Sequence, residues 1–464
     1  MGDRYDITGV HTLDPAAGRV VERADTEGVE LIRFLYADHG GVIRGKATSR
    51  SLLAERLGTG IGHTVAMMAM NMLDGLQSVE HLGPVGEVRI VPDPATFVRL
   101  PYAPGAAAML SDLRLPDGSP WAACPRTFLR EAVAALADEG HALVAAYEPE
   151  FTLGHRVPDP AGGPDRLVPV DDSLCYSTTG FNQTHDYTMA LVHALESQGL
   201  RPEHCHPELG HGQQELSIRH APAMRAADNQ VIYRETVRGV ATRMSMWASL
   251  APKPIADQAG NGAHIHVSLW DPELSVNVFS DPSGRYGLSA TAYHFIGGLI
   301  AHLPALTALT CGSVNSFRRL APQMWSSAYS CYGMDNREAA VRICSPTGKD
   351  VAASTNLEIK PSDSSANPYL SLGAVIHAGL DGIRRELDPG EAVNVDPATL
   401  PEGSVPRLPS SLDEALDALE ADDVLMNALG PLRSSAYLAV KRSEVKSFAA
   451  QDVAYELFHH FKAF

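Results

Sequence analysis

Apolar and polar positions alternate with period two in "VELIRFLYAD" and "GEVRIVPDP", and Gly and Pro punctuate both runs. That pattern predicts strands through the first 120 residues. "PDGSP" closes this region as a turn. The pattern then changes. "PRTFLREAVAALADEG" carries Pro125 in its first turn and Gly140 at its end, which predicts a helix. "TMALVHALESQG", "LSLGAVIHAGLDGIRREL" and "SLDEALDALEADDVLMNAL" predict further helices, with short alternating strands between them. The chain is therefore expected to be α+β rather than a regular βαβ repeat, with one domain over residues 1–120 and a second over 121–464. The long apolar stretch "HFIGGLIAHLPALTALTCG" contains two His and a Pro, so a buried core helix is expected and not a membrane span.

Composition narrows the function classes. A chain of 464 residues with 45% apolar and 20% charged content is an ordinary globular protein with room for a sizeable core. Its net charge of −18 excludes a general nucleic-acid backbone binder, while leaving space for a local basic pocket. Six cysteines lack a CxxC pair, which points to reduced thiols and a cytoplasmic protein. "MGDRYDITGV" lacks the charged-then-apolar order of a signal peptide, and Asp6 breaks the myristoylation pattern.

Candidate chemistry lies on the strands. Glu148 and Glu150 in "AAYEPEFTL" are two apart and so share a strand face, flanked by Tyr147 and Phe151. Paired carboxylates repel unless a cation or proton lies between them. "HCHPELGHGQQELSI" adds Glu208 and Glu215, with Gly210 and Gly212 suggesting a tight loop between them. "GNGAHIHVSL" places His264 and His266 on one face, and Glu358 stands between Leu357 and Ile359. A set of five glutamates and a histidine suits Mg²⁺ or Mn²⁺. A zinc site from His204, Cys205, His206 and His211 is the alternative, although consecutive ligands fit one tetrahedron poorly.

The motifs "YEPEF", "HPELGHGQQE", "GNGAHIHVSL", "NSFRRLAP", "DNREAAVRI" and "LEIKPSDSSANPYLSLGAVIHAGLDGI" occur in this order from about residue 147 to 384. In that order the chain resembles the glutamine synthetases, in the branch similar to the bacterial type I enzymes. The resemblance implies a β-grasp N-terminal domain, a catalytic α+β domain, and stacked hexameric rings whose sites lie between subunits. It implies an ATP-dependent ligase that phosphorylates the γ-carboxylate of L-glutamate and lets an amine attack the acyl phosphate. By position, Glu150, Glu208 and Glu215 resemble one metal site, and Glu148, His264 and Glu358 the other. Arg319 resembles the arginine that grips glutamate, and Arg337 and Arg342 those that face the ATP phosphates. Gly260 and Gly262 match the glycines that let backbone approach glutamate, and His266 and Ser268 would lie beside the nucleotide. Arg318 reads as a surface ion pair.

Three departures shape the expected substrate. Members of the family read "PGYEAP" after the "RL" step, whereas this chain reads "PQMWSS", so Trp325 replaces a glutamate that serves ammonium. "GIGHTVAMMAM" replaces a segment with an aspartate, and Thr64 falls closest to it. Both carboxylates of the ammonium site are thus expected to be missing, which disfavours a small bare cation. Trp325 could line the entry for a larger amine, with roughly 0.5–2 kcal/mol of cation–π attraction. Lys360 replaces a carboxylate-binding arginine, keeping the charge and losing the fork. "NVDPATL" has no tyrosine where some type I enzymes are adenylylated. The expected activity is a glutamate–amine ligase acting on ethanolamine or a similar small primary amine. The alternatives are a γ-glutamylpolyamine synthetase, ordinary glutamine synthesis from ammonium, and a non-catalytic scaffold.

Overall fold

The computed structural model describes residues 15–158, 160 and 165–464; the opening "MGDRYDITGV" lies outside the described residues. The first six strands are β1 (Leu31–Ala37), β2 (Ile43–Ser49), β3 (Ile61–Thr64), β4 (Glu87–Pro92), β5 (Val98–Arg99) and β6 (Ala106–Arg114). They form a mixed sheet in the order β2-β1-β6-β4-β3, with β5 also on β6. The parallel pair β1/β6 runs through its middle, and the remaining pairs are antiparallel, as expected of a β-grasp unit.

Both faces of this sheet are covered along β1 and β6. Ala106, Ala108 and Leu110 join the main core of the molecule, while Ala107, Met109 and Leu113 join a smaller core of their own. Leu35 and Ala37 on β1 follow the first group, and Ile32, Phe34 and Tyr36 the second. The split follows from the two-residue period of a strand. Near-continuous apolar sequence such as "AAAML" is what a strand buried on both faces requires.

The larger sheet contains β7 (Ala142–Val157), β8 (Arg166–Pro169), β9 (Pro202–Pro207), β10 (Gln213–Ile218), β11 (Ala221–Pro222), β12 (Trp247–Ser249), β13 (Ala263–Trp270), β14 (Tyr329–Met334), β15 (Ala339–Cys344) and β16 (Asn356–Ile359). Its order is β14-β15-β16-β13-β7-β10-β9, and the short strands β8, β11 and β12 also pair with β7. The helices Pro125–Asp138, Ala223–Arg243, Ala290–Thr310 and Pro368–Arg384 contribute to the same core. The helix Ala290–Thr310 is apolar and long enough to cross a membrane by composition. Its Phe295, Ile296, Leu299, Leu303 and Leu306 are buried in protein instead, as the sequence led us to expect. It meets the helix Pro368–Arg384 at bare backbone: a Cβ on Gly298 would lie 2.1 Å from the Ala378 carbonyl.

One predicted helix is corrected. "SLDEALDALEADDVLMNAL" forms two helices, Leu412–Glu420 and Asp423–Leu429. Asp422 ends the continuity because its carboxylate accepts the Leu425 N–H at 3.0 Å and caps the second helix.

A buried charge knot joins the N-terminal sheet to the helices of the larger unit. Arg126 donates to Asp93 and Asp112 of the N-terminal unit and to Asp228 on the helix Ala223–Arg243, at 2.8–3.0 Å. Tyr369 Oη also donates to Asp228, at 2.8 Å. Removing the guanidinium would leave Asp228 buried without a cation, held only by the Tyr369 hydroxyl, while Asp112 would keep Arg114 and Arg130. Arg126→Ala is expected to lower stability by about 3–5 kcal/mol, read as a shift of the denaturant unfolding midpoint against wild type.

Candidate active site

The register of the large sheet decides which side chains meet. Glu148 pairs with His264, His266 with Glu358, Arg342 with Glu358, and Glu215 with both Glu150 and His206. Directly opposed residues in antiparallel strands project to the same face. All of these polar groups therefore share one surface. The intervening residues Tyr147, Phe151, Leu216, Ile265, Val267, Val341, Leu357 and Ile359 turn to the helical core.

Two groups of possible ligands result. The ligand atoms of Glu148, His264 and Glu358 lie within 4.8 Å of one another, which brings together the second expected set. His264 meets Glu358 Oε1 through Nδ1 at 3.1 Å, and its buried Nε2 has no hydrogen-bond partner. The other group is assembled differently from expectation. Glu208 and Glu215 meet through His206, whose Nε2 is 2.8 Å from Glu208 Oε1. Glu150 stands aside because Gln213 Nε2 donates to it at 2.6 Å and the Gly262 N–H at 3.0 Å. A third group, Glu148, His204 and Glu215, bridges the two.

The electrostatics are uneven. Burial, with Glu148, Glu150, Glu208 and Glu358 nearby, pushes Glu215 up to about 9. Burial and then Glu208 push Glu150 up to about 7, against the Gly262 N–H and the charges of Arg319 and Lys360. Glu148 goes the other way: burial opposes its charge, but His266 brings it down to about 2. Against burial, Lys360 and His264 hold Glu358 well below the usual carboxylate range. Burial and then Lys360 bring His264 down to about 4, so it is a neutral donor with a lone pair to offer. Repelling carboxylates beside an unpartnered imidazole nitrogen fit a hard divalent cation.

The arginines and glycines surround this floor. Arg342 donates to Glu358 at 2.6 Å and keeps a buried, unpartnered Nε. Lys360, fully buried, lies 3.3 Å from Glu358 Oε1. Arg319 is 3% exposed, gives Nη2 to the Ser362 carbonyl at 2.7 Å and leaves Nε without a partner. Its open edge is what a carboxylate could take. Gly260 and Gly262 press on it: added Cβ atoms would lie 3.0 Å from Arg319 Cγ and 3.2 Å from Arg319 Nη1. Buried Asn261 fixes that loop by donating to the Ala251 carbonyl at 2.9 Å. Arg318 donates to both oxygens of Glu456, at 2.7 and 2.8 Å, and so ties down the C-terminal helix Val453–Ala463.

Two cavities are open to solvent, and the first takes in Glu148 of the floor. One of about 480 Å³ is lined by His266, Ser268, Trp270, Arg342 and Asn356, which places the two residues expected beside the nucleotide together. The other, of about 510 Å³, is lined by Trp325, Arg337, Gln323, Asp335, Glu338 and Asp396. Trp325 is 63% exposed there. Thr64 belongs to the other sheet, at the end of β3, where its hydroxyl accepts the Ala66 N–H.

The alternative zinc set does not assemble. Cys205 packs against the main core, while the rings of His204 and His206 stack on the carboxylate face. Alternation along β9 separates them. Sequence reasoning missed Gln213 as the clamp on Glu150, and Tyr176, whose ring stands edge-on to His206 at 4.7 Å between centroids. It also missed Glu338. Tyr176 and Glu338 sit in no alternating pattern, so periodicity gave no signal for either.

Comparison with known proteins agrees with this geometry. The glutamine synthetase N-terminal domain matches residues 15–121, and the glutamine synthetase catalytic domain residues 122–459. The chain belongs to the glutamine synthetase family. It is 36% identical to the γ-glutamylpolyamine synthetase GlnA3 of Streptomyces coelicolor, over 92% of each chain. It is 31% identical to the glutamine synthetase of Halobacterium salinarum, over 96% of each. Among solved structures, a novel glutamine synthase homolog superposes with a TM-score of 0.83 at 34% identity, covering 94% of this chain and 99% of that one. GmaS in complex with ADP superposes with a TM-score of 0.82 at 30% identity, covering 94% and 98%.

Mg²⁺ or Mn²⁺ is expected to stabilise the protein by about 2.7 kcal/mol at a hundredfold excess over Kd, read as a rise in Tm. Glu215→Gln and Glu358→Gln should each reduce that rise. The rise should also shrink as pH falls from 9 through 7, because Glu215 and then Glu150 take up protons that compete with the metal. Metal-free protein should lose stability as pH climbs over that range, since the folded carboxyls hold protons that the unfolded ones have already released.

Proposed function

We propose that this ligase of the glutamine synthetase type joins the γ-carboxylate of glutamate to an organic primary amine, with ethanolamine the leading amine. The observation that carries this reading is Trp325, an exposed ring at a cavity mouth in the place where the family resemblance puts a glutamate. The remaining machinery stays filled with charge, which speaks against a scaffold. Arg319 would bind the glutamate carboxylate through its open edge. His266 and Ser268 would border the nucleotide, and Arg342 and Arg337 would face its phosphates. Glu148, His264 and Glu358, with Glu208, Glu215 and His206 or Glu150, would hold Mg²⁺ or Mn²⁺. Bound there, the metal supplies positive charge to the transferring phosphoryl group. The amine then displaces phosphate from the γ-glutamyl phosphate and gives up a proton. We place this activity in the cytoplasm, in a ring-shaped homo-oligomer, on the family resemblance.

A diamine or polyamine is the second reading, and one observation favours it. Asp335, Glu338 and Asp396 line the same cavity as Trp325, opposed by the single cation Arg337. A distal ammonium could use that net negative charge. The polyamine activity named for the Streptomyces coelicolor relative lends the same support. For ethanolamine, the ring and the side-chain amide of Gln323 offer an apolar wall and one polar contact.

The test is ATP- and glutamate-dependent phosphate release with ammonium, methylamine, ethanolamine, putrescine, cadaverine and spermidine, with products confirmed by mass. Ethanolamine should give the highest kcat/KM. Diamine preference would replace the amine and keep the ligase; ammonium preference would remove the selectivity argument. Trp325→Glu is expected to shift the ammonium-to-amine ratio of kcat/KM at least tenfold toward ammonium, about 1.4 kcal/mol.

A further inference from the structure

The segment that carries Trp325 has an uncommon backbone. Gln323, Trp325 and Ser327 have φ of 59°, 55° and 61°, so alternate residues occupy the left-handed region. Non-glycine residues rarely adopt it singly, and a run of three needs outside support. One side chain supplies much of that support. Glu338, 8% exposed, accepts the Gln323 N–H on Oε2 at 3.0 Å and the Trp325 N–H on Oε1 at 2.8 Å. Its own N–H donates to Asn336 Oδ1 at 3.0 Å, and its carbonyl accepts the Ser327 hydroxyl at 3.0 Å. Ser326 completes the tether by donating to the Arg319 carbonyl at 2.7 Å.

A carboxylate with both oxygens aimed at backbone N–H groups two residues apart fixes the direction of the residue between them and the ring after it. Glu338 also adjoins Arg337 in sequence and heads β15, so the anchor moves only with the sheet. We propose that Glu338 is a positioning residue for amine selection, holding the 323–327 backbone so that the Trp325 ring stands over the cavity. This rests on the reading of Trp325 as the amine-selecting residue.

The test compares Glu338→Gln, Glu338→Asp and Trp325→Ala in the full-length enzyme. Glutamine keeps one accepting oxygen and turns the other into an N–H donor, so one of the two bonds is lost. Glu338→Gln is expected to raise KM for the best amine about tenfold, with KM for ATP and glutamate and the metal-induced rise in Tm within twofold of wild type. Glu338→Asp, which keeps two accepting oxygens on a shorter stem, should recover part of the amine KM. An unchanged amine KM, or equal changes in all three KM values, would overturn the proposal. Trp325→Ala separates the two readings: if it leaves the amine KM unmoved, the amine-selection reading has failed. If it raises that KM while Glu338→Gln does not, only the positioning role has failed. Amide hydrogen exchange over residues 321–328 of the wild type needs no variant. Slow exchange at Gln323 and Trp325 is expected beside an exposed ring, and exchange at the free-peptide rate would overturn the anchor.

Discussion

Four carboxylates share one face of a sheet with a fifth beside them, and their mutual repulsion is the constraint that the rest of the molecule answers. The register puts Glu148, Glu150, Glu215 and Glu358 side by side, with Glu208 on the adjoining loop. Such a face costs free energy unless positive charge is brought to it. The opposite face is apolar and locked to the helices, so the strands cannot slip to relieve the strain without turning every core residue outward. The hydrophobic core is what holds the charges together.

Positive charge is supplied unequally. Glu358 is gripped by two cations, Arg342 and Lys360, and by the neutral imidazole of His264. Glu215 has only histidines nearby, and with Glu150 it retains protons far above the ordinary carboxylate range. One end of the floor therefore has two protein cations beside the unpartnered His264 Nε2, while at the other Glu215 meets only histidines and like charges. Lys360 takes part at the Glu358 end, where its ammonium meets the carboxylate as a point charge. The loop that carries Trp325 is a separate feature, tethered through Glu338 at the start of β15 and through the Arg319 carbonyl.

Much of this could be read in the sequence, and for physical reasons. Strand pairs two apart, such as Glu148 with Glu150 and His264 with His266, announce a shared face directly. Ordered motifs brought distant segments together where periodicity could not. What escaped was set by tertiary geometry. Nothing in "HCHPELGHGQQE" says that Gln213 would draw Glu150 away and leave His206 between Glu208 and Glu215. Asp422 looked like one more polar position of a long helix until its carboxylate capped a new one. Arg126 reads as an ordinary polar position in a helix's first turn, because its three aspartates come from distant parts of the chain. Thr64 was chosen by position alone, and within one chain it lies in the other sheet.

The covered faces of β6 bear on how the protein is made. The small core beneath the N-terminal sheet includes Ala436, from the helix Pro431–Ala449, and Lys441 of the same helix donates to the Gly40 carbonyl at 3.0 Å. The first 120 residues leave the ribosome long before that helix exists. At about 5–20 residues per second, the wait is roughly 15–60 s. Through that interval the small core lacks little more than Ala436, whereas the opposite face, with Leu35, Ala37, Ala106, Ala108 and Leu110, still waits for the later helices that complete the main core.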